Sequence, residues 1–251
     1  MGWRWASLAS GSKGNCSLLI NGGFTLMIDC GISLLALRRR LGNLGLTLEQ
    51  IDALIITHLH NDHIRGLDRL LCRRPDLPIL TRRVTATALG LTRSGRQVWE
   101  LAMGRPFRLN DLSITPLPLS HDAPDTFGLV IETPAGKLVH LTDLGEPPNC
   151  ARDLLENAQL MVLETNHDPE MLRTGPYPWF LKKRIASREG HLSNHQAREL
   201  VQGLMYRPER LVLAHLSETN NHPELAAEAM RGLCPQVEVA LQGETLEIRL
   251  G

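Results

Sequence analysis

The sequence predicts an α/β protein built of two β-sheets with helices on their outer faces. Three observations predict it. Apolar runs of strand type come in groups, with helical patterns set between them. Several of those runs stop abruptly at a histidine or an aspartate. The chain has 251 residues, 43% of them hydrophobic, enough to fill real cores in one large domain or two small ones.

In chain order, residues 5–20 read as a strand interrupted by Ser10-Gly11-Ser12-Lys13-Gly14-Asn15, and Phe24–Ile28 as a second strand ending in Asp29-Cys30-Gly31. Residues 34–41 read as a helix with an Arg38-Arg39-Arg40 face, and 49–56 as an approach to a buried strand. A helix is expected over 64–71, a strand over 77–80 and a helix over 85–91. From Phe107 the pattern turns to β: 112–117, 127–132 and 137–141, the last two joined by the turn Pro134-Ala135-Gly136. A helix over 152–158 precedes a buried strand, Leu160–Glu164, and 168–194 is punctuated by Pro and Gly and reads as irregular. A helix over 195–205, a strand over 211–214 and a helix over 223–233 follow. The end, 237–241 and 245–250 around Gln242-Gly243-Glu244, reads as a hairpin.

Composition sets bounds on function. Twenty-seven basic residues balance 27 acidic ones, but residues 1–110 hold 15 against 7 and residues 111–251 hold 12 against 20. That asymmetry permits a basic surface for a polyanion without requiring one. Ten aromatic residues argue against an extended base-stacking platform. No apolar run approaches membrane-spanning length, and the N-terminus lacks the apolar core of a secretory signal. Five widely spaced cysteines (Cys16, Cys30, Cys72, Cys150 and Cys234) contain no C-x-x-C and suit small buried residues in a reducing cytoplasm.

The chemistry concentrates in Thr57-His58-Leu59-His60-Asn61-Asp62-His63, directly after an apolar run. Imidazoles and a carboxylate together suit zinc and similar divalent metals. His58 and His60 share one side of an extended chain, whereas Asp62 and His63 follow a turn and can face a second position. The spacing therefore points to two metals side by side. Three later runs repeat the logic of a strand ending in a ligand: Leu117-Pro118-Leu119-Ser120-His121, Leu138-Val139-His140-Leu141-Thr142-Asp143 and Leu211-Val212-Leu213-Ala214-His215.

With these residues the chain resembles the metallo-β-lactamase-fold hydrolases along nearly its whole length. The resemblance implies one domain over residues 1–251, a four-layer αββα sandwich. It also implies two divalent ions (zinc, manganese or iron), one held by His58, His60 and His121, the other by Asp62, His63 and His215, with Asp143 shared. Asp29 would orient the ligand loop from behind. A hydroxide bridging the ions would be the nucleophile.

Further stretches narrow the family: Glu164-Thr165-Asn166-His167-Asp168, Gly175-Pro176-Tyr177-Pro178, Leu181-Lys182-Lys183-Arg184-Ile185 and Gly190-His191-Leu192-Ser193-Asn194. They resemble the YycJ/WalJ-type subfamily, related to PhnP and more distantly to RNase Z. That resemblance implies phosphodiester hydrolysis, and 5′-to-3′ exonuclease action on DNA. Asp62 and His191 are the candidate catalytic residues, His191 at the pocket rim as a proton donor. Ser12, Asn15, Lys183, Arg184, Ser193 and Asn194 are candidate substrate contacts, although Ser193 equally suits a helix cap. Residues 10–15 suit either a phosphate cradle or a tight hairpin. The alternatives are a thioesterase or a small-molecule cyclic phosphodiesterase on the same fold. From a different class comes a catalytically silent module that binds a nucleotide or a partner.

Overall fold

A computed structural model describes residues 2–148 and 152–251. Cys150 lies outside the described residues. The chain divides into two compact units: Met1–Ala102, Ala123–Asp125 and Leu241–Gly251 form one, Met103–Asp122 and Thr126–Ala240 the other.

The first unit opens with β1 (Arg4–Ala9), β2 (Cys16–Asn21) and β3 (Phe24–Ile28), followed by β4 (Ala53–Ile55), β5 (Ile79–Thr81) and β6 (Val98–Glu100). The second unit holds β7 (Phe107–Leu109), β8 (Leu112–Pro118), β9 (Phe127–Thr133), β10 (Gly136–Leu141), β11 (Leu160–Glu164), β12 (Arg210–Ala214) and β13 (Gln236–Val239). The last strand, β14 (Leu246–Arg249), returns to the first unit. Among the described residues the sheets run β14-β1-β2-β3-β4-β5-β6 and β13-β12-β11-β10-β9-β8-β7. Each is antiparallel over one part and parallel over the other: β3 through β6 run parallel, as do β10 through β13.

Each parallel part alternates with helices and reads as nearly continuous apolar sequence, because both faces are covered. In the first unit Leu18, Met27 and Leu54 pack with Leu37 and Leu41 of helix Leu34–Asn43 and with Leu70 of helix Leu67–Arg73. In the second, Val139, Met161 and Leu213 pack with Ala197, Leu200 and Val201 of helix Asn194–Gln202.

Three sequence expectations are corrected and one strand is added. The terminal hairpin does not form: β13 pairs parallel to β12, whereas β14 pairs antiparallel to β1. Residues 168–194 are not uniformly irregular. Asp168 caps helix Pro169–Thr174 by accepting from the Glu170 and Met171 N–H groups at 3.0 and 2.9 Å, and a second helix, Trp179–Ile185, starts after Pro178. The helix expected over 64–71 is two, Asn61–Ile64 and Leu67–Arg73. They break at Gly66, whose N–H donates to the Cys30 carbonyl at 2.8 Å and where a Cβ would collide with the Ile32 carbonyl. The short edge strand β6 is absent from the sequence reading, since its three residues are half-buried or exposed and carry no apolar run.

Burial pushes the Cys30 thiol up to about 12, helped by the Asp29 carboxylate, and raises the Cys16 thiol as well. Cys72 is exposed. Iodoacetamide at neutral pH should therefore alkylate Cys72 in the native protein, and Cys16 and Cys30 only after denaturation, as read by peptide mapping.

Candidate metal centre

Every cluster of candidate ligands sits where a strand ends and the chain turns. In the first unit Asp29 directly follows β3, and Thr57-His58 lie just beyond the end of β4. Asp29, at φ 58°, adopts a left-handed backbone conformation that turns its carboxylate back under the ligand loop. Its Oδ1 accepts from the Thr57 N–H at 2.8 Å; its Oδ2 accepts from the Thr57 hydroxyl at 2.8 Å and lies 2.7 Å from His63 Nδ1. A carboxylate can only accept, so His63 carries its proton on Nδ1 and turns the Nε2 lone pair toward Asp62, 3.7 Å from its Oδ2. His58 is fully buried, with its ring 4.8 Å from His60 and 4.1 Å from His63. Three imidazoles so close, two of them buried, suit a shared cation.

Asn15 belongs to this cluster. Its Nδ2 donates to Asp62 Oδ2 at 3.1 Å and lies 2.9 Å from His63 Nε2, while its Oδ1 accepts from the Gly11 N–H at 2.9 Å. The loop at 10–15 thus spends its donors internally: Gly14 N–H goes to the Gly11 carbonyl, Asn15 N–H to Asp62 and Lys13 N–H to Gln242. That is the tight-turn reading; Ser12 is left exposed on its outer side. Gly31 lets this loop approach, because a Cβ there would collide with the Asp62 carbonyl.

In the second unit His121 follows β8, Asp143 follows β10, Glu164 closes β11 and His215 follows β12. Asp143 and His215 again have left-handed backbones, at φ 65° and 55°. His121 Nδ1 lies 3.1 Å from the Gly190 carbonyl, an acceptor only, so its proton is on Nδ1 and its Nε2 lone pair is turned 3.8 Å from Asp143 Oδ1. His215 Nε2 lies 3.5 Å from the same oxygen. Such gaps are long for hydrogen bonds but near the roughly 3.4 Å between neighbouring ligand atoms of a tetrahedral ion with bonds of about 2.0–2.2 Å. The donor set, its burial and its spacing therefore fit divalent metals.

Glu164 is a site residue that sequence reasoning passed over. It is fully buried. Its Oε2 accepts from the Asp143 N–H at 2.5 Å and lies 3.5 Å from His215 Nδ1; its Oε1 accepts from the Leu192 N–H at 2.9 Å and lies 3.0 Å from His191 Nδ1. Asp143, Glu164, His191 and His215 all offer ligand atoms within 4.8 Å of one another. With both oxygens occupied, Glu164 holds the others in place rather than ligating. The available signal was positional: a carboxylate closing a buried parallel strand, where sites of α/β sheets gather.

The remaining candidates divide between support and surface. Ser193 caps helix Asn194–Gln202 through the Gln196 N–H at 3.2 Å, and Asn194 exchanges two hydrogen bonds with Asn221 at 3.0 and 2.8 Å. Arg184 pairs with Asp122 at 2.6 Å, and Lys183 is exposed. His191 keeps 21% of its side chain exposed.

The fold is shared with the metallo-β-lactamase fold protein YhfI from Bacillus subtilis at a TM-score of 0.77, with 19% identity and coverage of 99% of this chain and 100% of that one. Residues 25–216 match the family model for the beta-lactamase superfamily domain, and the chain belongs to that family. It is a hydrolase of the metallo-β-lactamase fold. Along the sequence it is 33% identical to the exodeoxyribonuclease WalJ of Streptococcus pneumoniae serotype 2 (strain D39 / NCTC 7466), covering 96% of this chain and 91% of that protein. It is 31% identical to the exodeoxyribonuclease YycJ of Bacillus anthracis, covering 99% and 95%. The fold class and the YycJ/WalJ-type resemblance expected from sequence are both borne out.

Two outcomes follow from these contacts. Asp29→Asn puts an amide where two donors require an acceptor, and it should weaken metal binding by roughly 10–100-fold in competition with a chelating indicator, at an unchanged far-UV spectrum. His167, outside the ligand set, is buried, its Nδ1 has no hydrogen-bond partner among the described residues, and burial lowers its pKa to about 4. The unfolded chain takes up this proton near pH 6.5, the folded one only near 4, so stability should fall as pH drops through that window, by about 3 kcal/mol in total. In urea titrations of metal-free protein, His167→Gln should show a shallower loss of stability than wild type between those pH values.

Proposed function

We propose that the chain is a metal-dependent phosphodiesterase that degrades DNA as a 5′-to-3′ exonuclease. The observation that carries this reading is the similarity, along nearly the whole chain, to two proteins named exodeoxyribonucleases. The proposal keeps the ligand assignment implied by the family: His58, His60 and His121 for one ion, Asp62, His63 and His215 for another, and Asp143 for both. Zinc, manganese and iron all suit these ligands. When bound, such ions lower the pKa of water and take up negative charge at phosphorus.

The chain's own residues do the rest. Asp29 and Glu164 fix imidazole orientation, so that ring nitrogens need not reorganise during the reaction. His191 faces Glu164 through Nδ1, which commits that nitrogen and turns Nε2 outward as the proposed proton donor to the departing oxygen. Asp62, hydrogen-bonded by Asn15, is the proposed carboxylate that holds the attacking water's proton. The exposed residues Ser12, Lys183 and Arg184 carry the proposed substrate contacts, while Asn15, Ser193 and Asn194 support the site from inside. Among the described residues no helix is long and apolar enough to cross a membrane. The free thiols of Cys16, Cys30, Cys72 and Cys234 support a reducing, cytoplasmic setting as part of the proposal.

A panel of substrates tests the reading on metal-loaded protein: 5′-phosphorylated duplex and single-stranded DNA, RNA, a cyclic nucleotide, bis(p-nitrophenyl) phosphate and a thioester. DNA should be degraded from the 5′ end, with activity lost in chelator and restored by metal. Turnover of the thioester alone overturns the phosphodiesterase reading, and no turnover of any substrate favours a binding module. His191→Ala should slow DNA cleavage by about 10²–10⁴-fold. It should slow bis(p-nitrophenyl) phosphate far less, because nitrophenolate departs without a proton. Equal losses on both would remove His191 from that role.

A further inference from the structure

Helix Trp179–Ile185 buries none of its residues. Trp179 and Phe180 at its start are 77% and 73% exposed, and they are two of only ten aromatic residues in the chain. Half-buried Tyr177 precedes them. Scattered apolar residues are ordinary on a surface, but two adjacent large rings in water, in a chain so poor in aromatics, mark a contact surface.

The far end of the same helix is fastened to residues of the candidate centre in its own unit. Arg184 bonds Asp122, the neighbour of His121, at 2.6 Å. The Ile185 carbonyl accepts from the His191 N–H at 2.9 Å, and the Gly190 carbonyl lies 3.1 Å from His121 Nδ1. Seven helical residues span roughly 10 Å, about the length of three stacked nucleotides at 3.4 Å each.

Lysines stand beside the rings. Between Pro169 and His191 stand five Lys and Arg against two Glu. Arg173, Arg184 and Arg188 are paired with Glu170, Asp122 and Glu146. Lys182 donates to the Arg173 carbonyl at 2.8 Å. Lys183 is exposed and makes no ion pair among the described residues.

We propose that Trp179 and Phe180 form a stacking platform for two unpaired bases of a single-stranded DNA end, with Lys183 on the adjoining phosphate. The proposal rests on the DNA-exonuclease reading and names where that substrate's bases go. Every base has a face that stacks on an aromatic ring, and positive charge beside the rings follows the backbone. Two rings offer about 300–500 Å², well short of the roughly 800 Å² each partner contributes to a stable dimer. A compact pair of rings also needs few aromatics, unlike an extended platform.

The test uses metal-loaded, full-length protein and a labelled phosphorothioate oligothymidylate that resists cleavage. Trp179→Ala with Phe180→Ala should raise its Kd by about 10–100-fold, and raise KM on single-stranded DNA similarly with a much smaller change in kcat. Trp179→Phe with Phe180→Trp should restore tight binding, which separates stacking from damage to the fold. Lys183→Ala should weaken binding modestly and reduce the salt slope by about one. If wild type cleaves DNA and the double alanine variant binds the oligonucleotide like wild type, the platform is overturned and the nuclease reading stands. If wild type turns over bis(p-nitrophenyl) phosphate but neither binds nor cleaves DNA, both are overturned. Loss of binding to phosphatidylglycerol vesicles, or of a dimer in sedimentation, with DNA affinity unchanged, would assign the rings to a membrane or to a second copy and likewise overturn the platform.

Discussion

In each unit one buried carboxylate organises the candidate ligands, Glu164 in one and Asp29 in the other. Glu164 has no exposed surface and engages Asp143, His191, Leu192 and His215 with its two oxygens. Asp29 engages Thr57 and His63 in the same manner. A buried carboxylate without donors would cost several kcal/mol, so each of these can exist only where several chain segments converge to supply N–H and O–H groups. The requirement runs both ways. The segments need the carboxylate to fix their registers, and the imidazoles need it to fix which nitrogen carries the proton. Removing either acid would leave polar atoms facing one another with nothing to accept from them.

Those carboxylates work because of where strands end. Asp29, Asp143 and His215 each follow a parallel strand and each adopts a left-handed backbone. Such conformations cost non-glycine residues on the order of 1–3 kcal/mol. At Asp143 and His215 the compensation lies in the contacts just described, at Asp29 in its three acceptor contacts. A smoother exit from the strand would carry the side chain onward into the next helix. The sharp turn instead returns it over the strand end, so within each unit the candidate ligands gather beside one another although they lie far apart in sequence.

This division explains what could be read beforehand. Phe24–Ile28 and Leu160–Glu164 were legible to the residue, because a mostly apolar run that stops at a charged residue leaves little choice. The end of the chain was not. Its two strands look like hairpin partners locally, but β13 finds β12 and β14 finds β1, pairings that only the completed sheets determine. The histidines and aspartates of the centre stood out because few other roles explain those residue types after strands. Glu164 and Asn15 did not, since a lone glutamate or asparagine is common, and their meaning lies in partners 21 to 51 positions away. The helices within 168–194 were hidden by the very Pro and Asp residues that start them.

The ligand set is common ground for many hydrolases, and it acts on whatever electrophile is delivered. Selection among substrates therefore falls to residues that meet the leaving group and the strand beyond it. In the proposed reading both duties fall on one continuous stretch. Residues 175–191 carry the exposed rings at one end and His191 at the other, and the His191 N–H is bonded to the carbonyl of Ile185, the last residue of the ring-bearing helix. The side chain of His191 is fixed in turn by Glu164. A strand seated on the rings would thus press on the same short helix that holds His191, the proposed proton donor. A small phosphodiester, too short to reach the rings, would meet the donor without that second hold. The proposed base platform and the proposed proton donor are thus joined through one short helix.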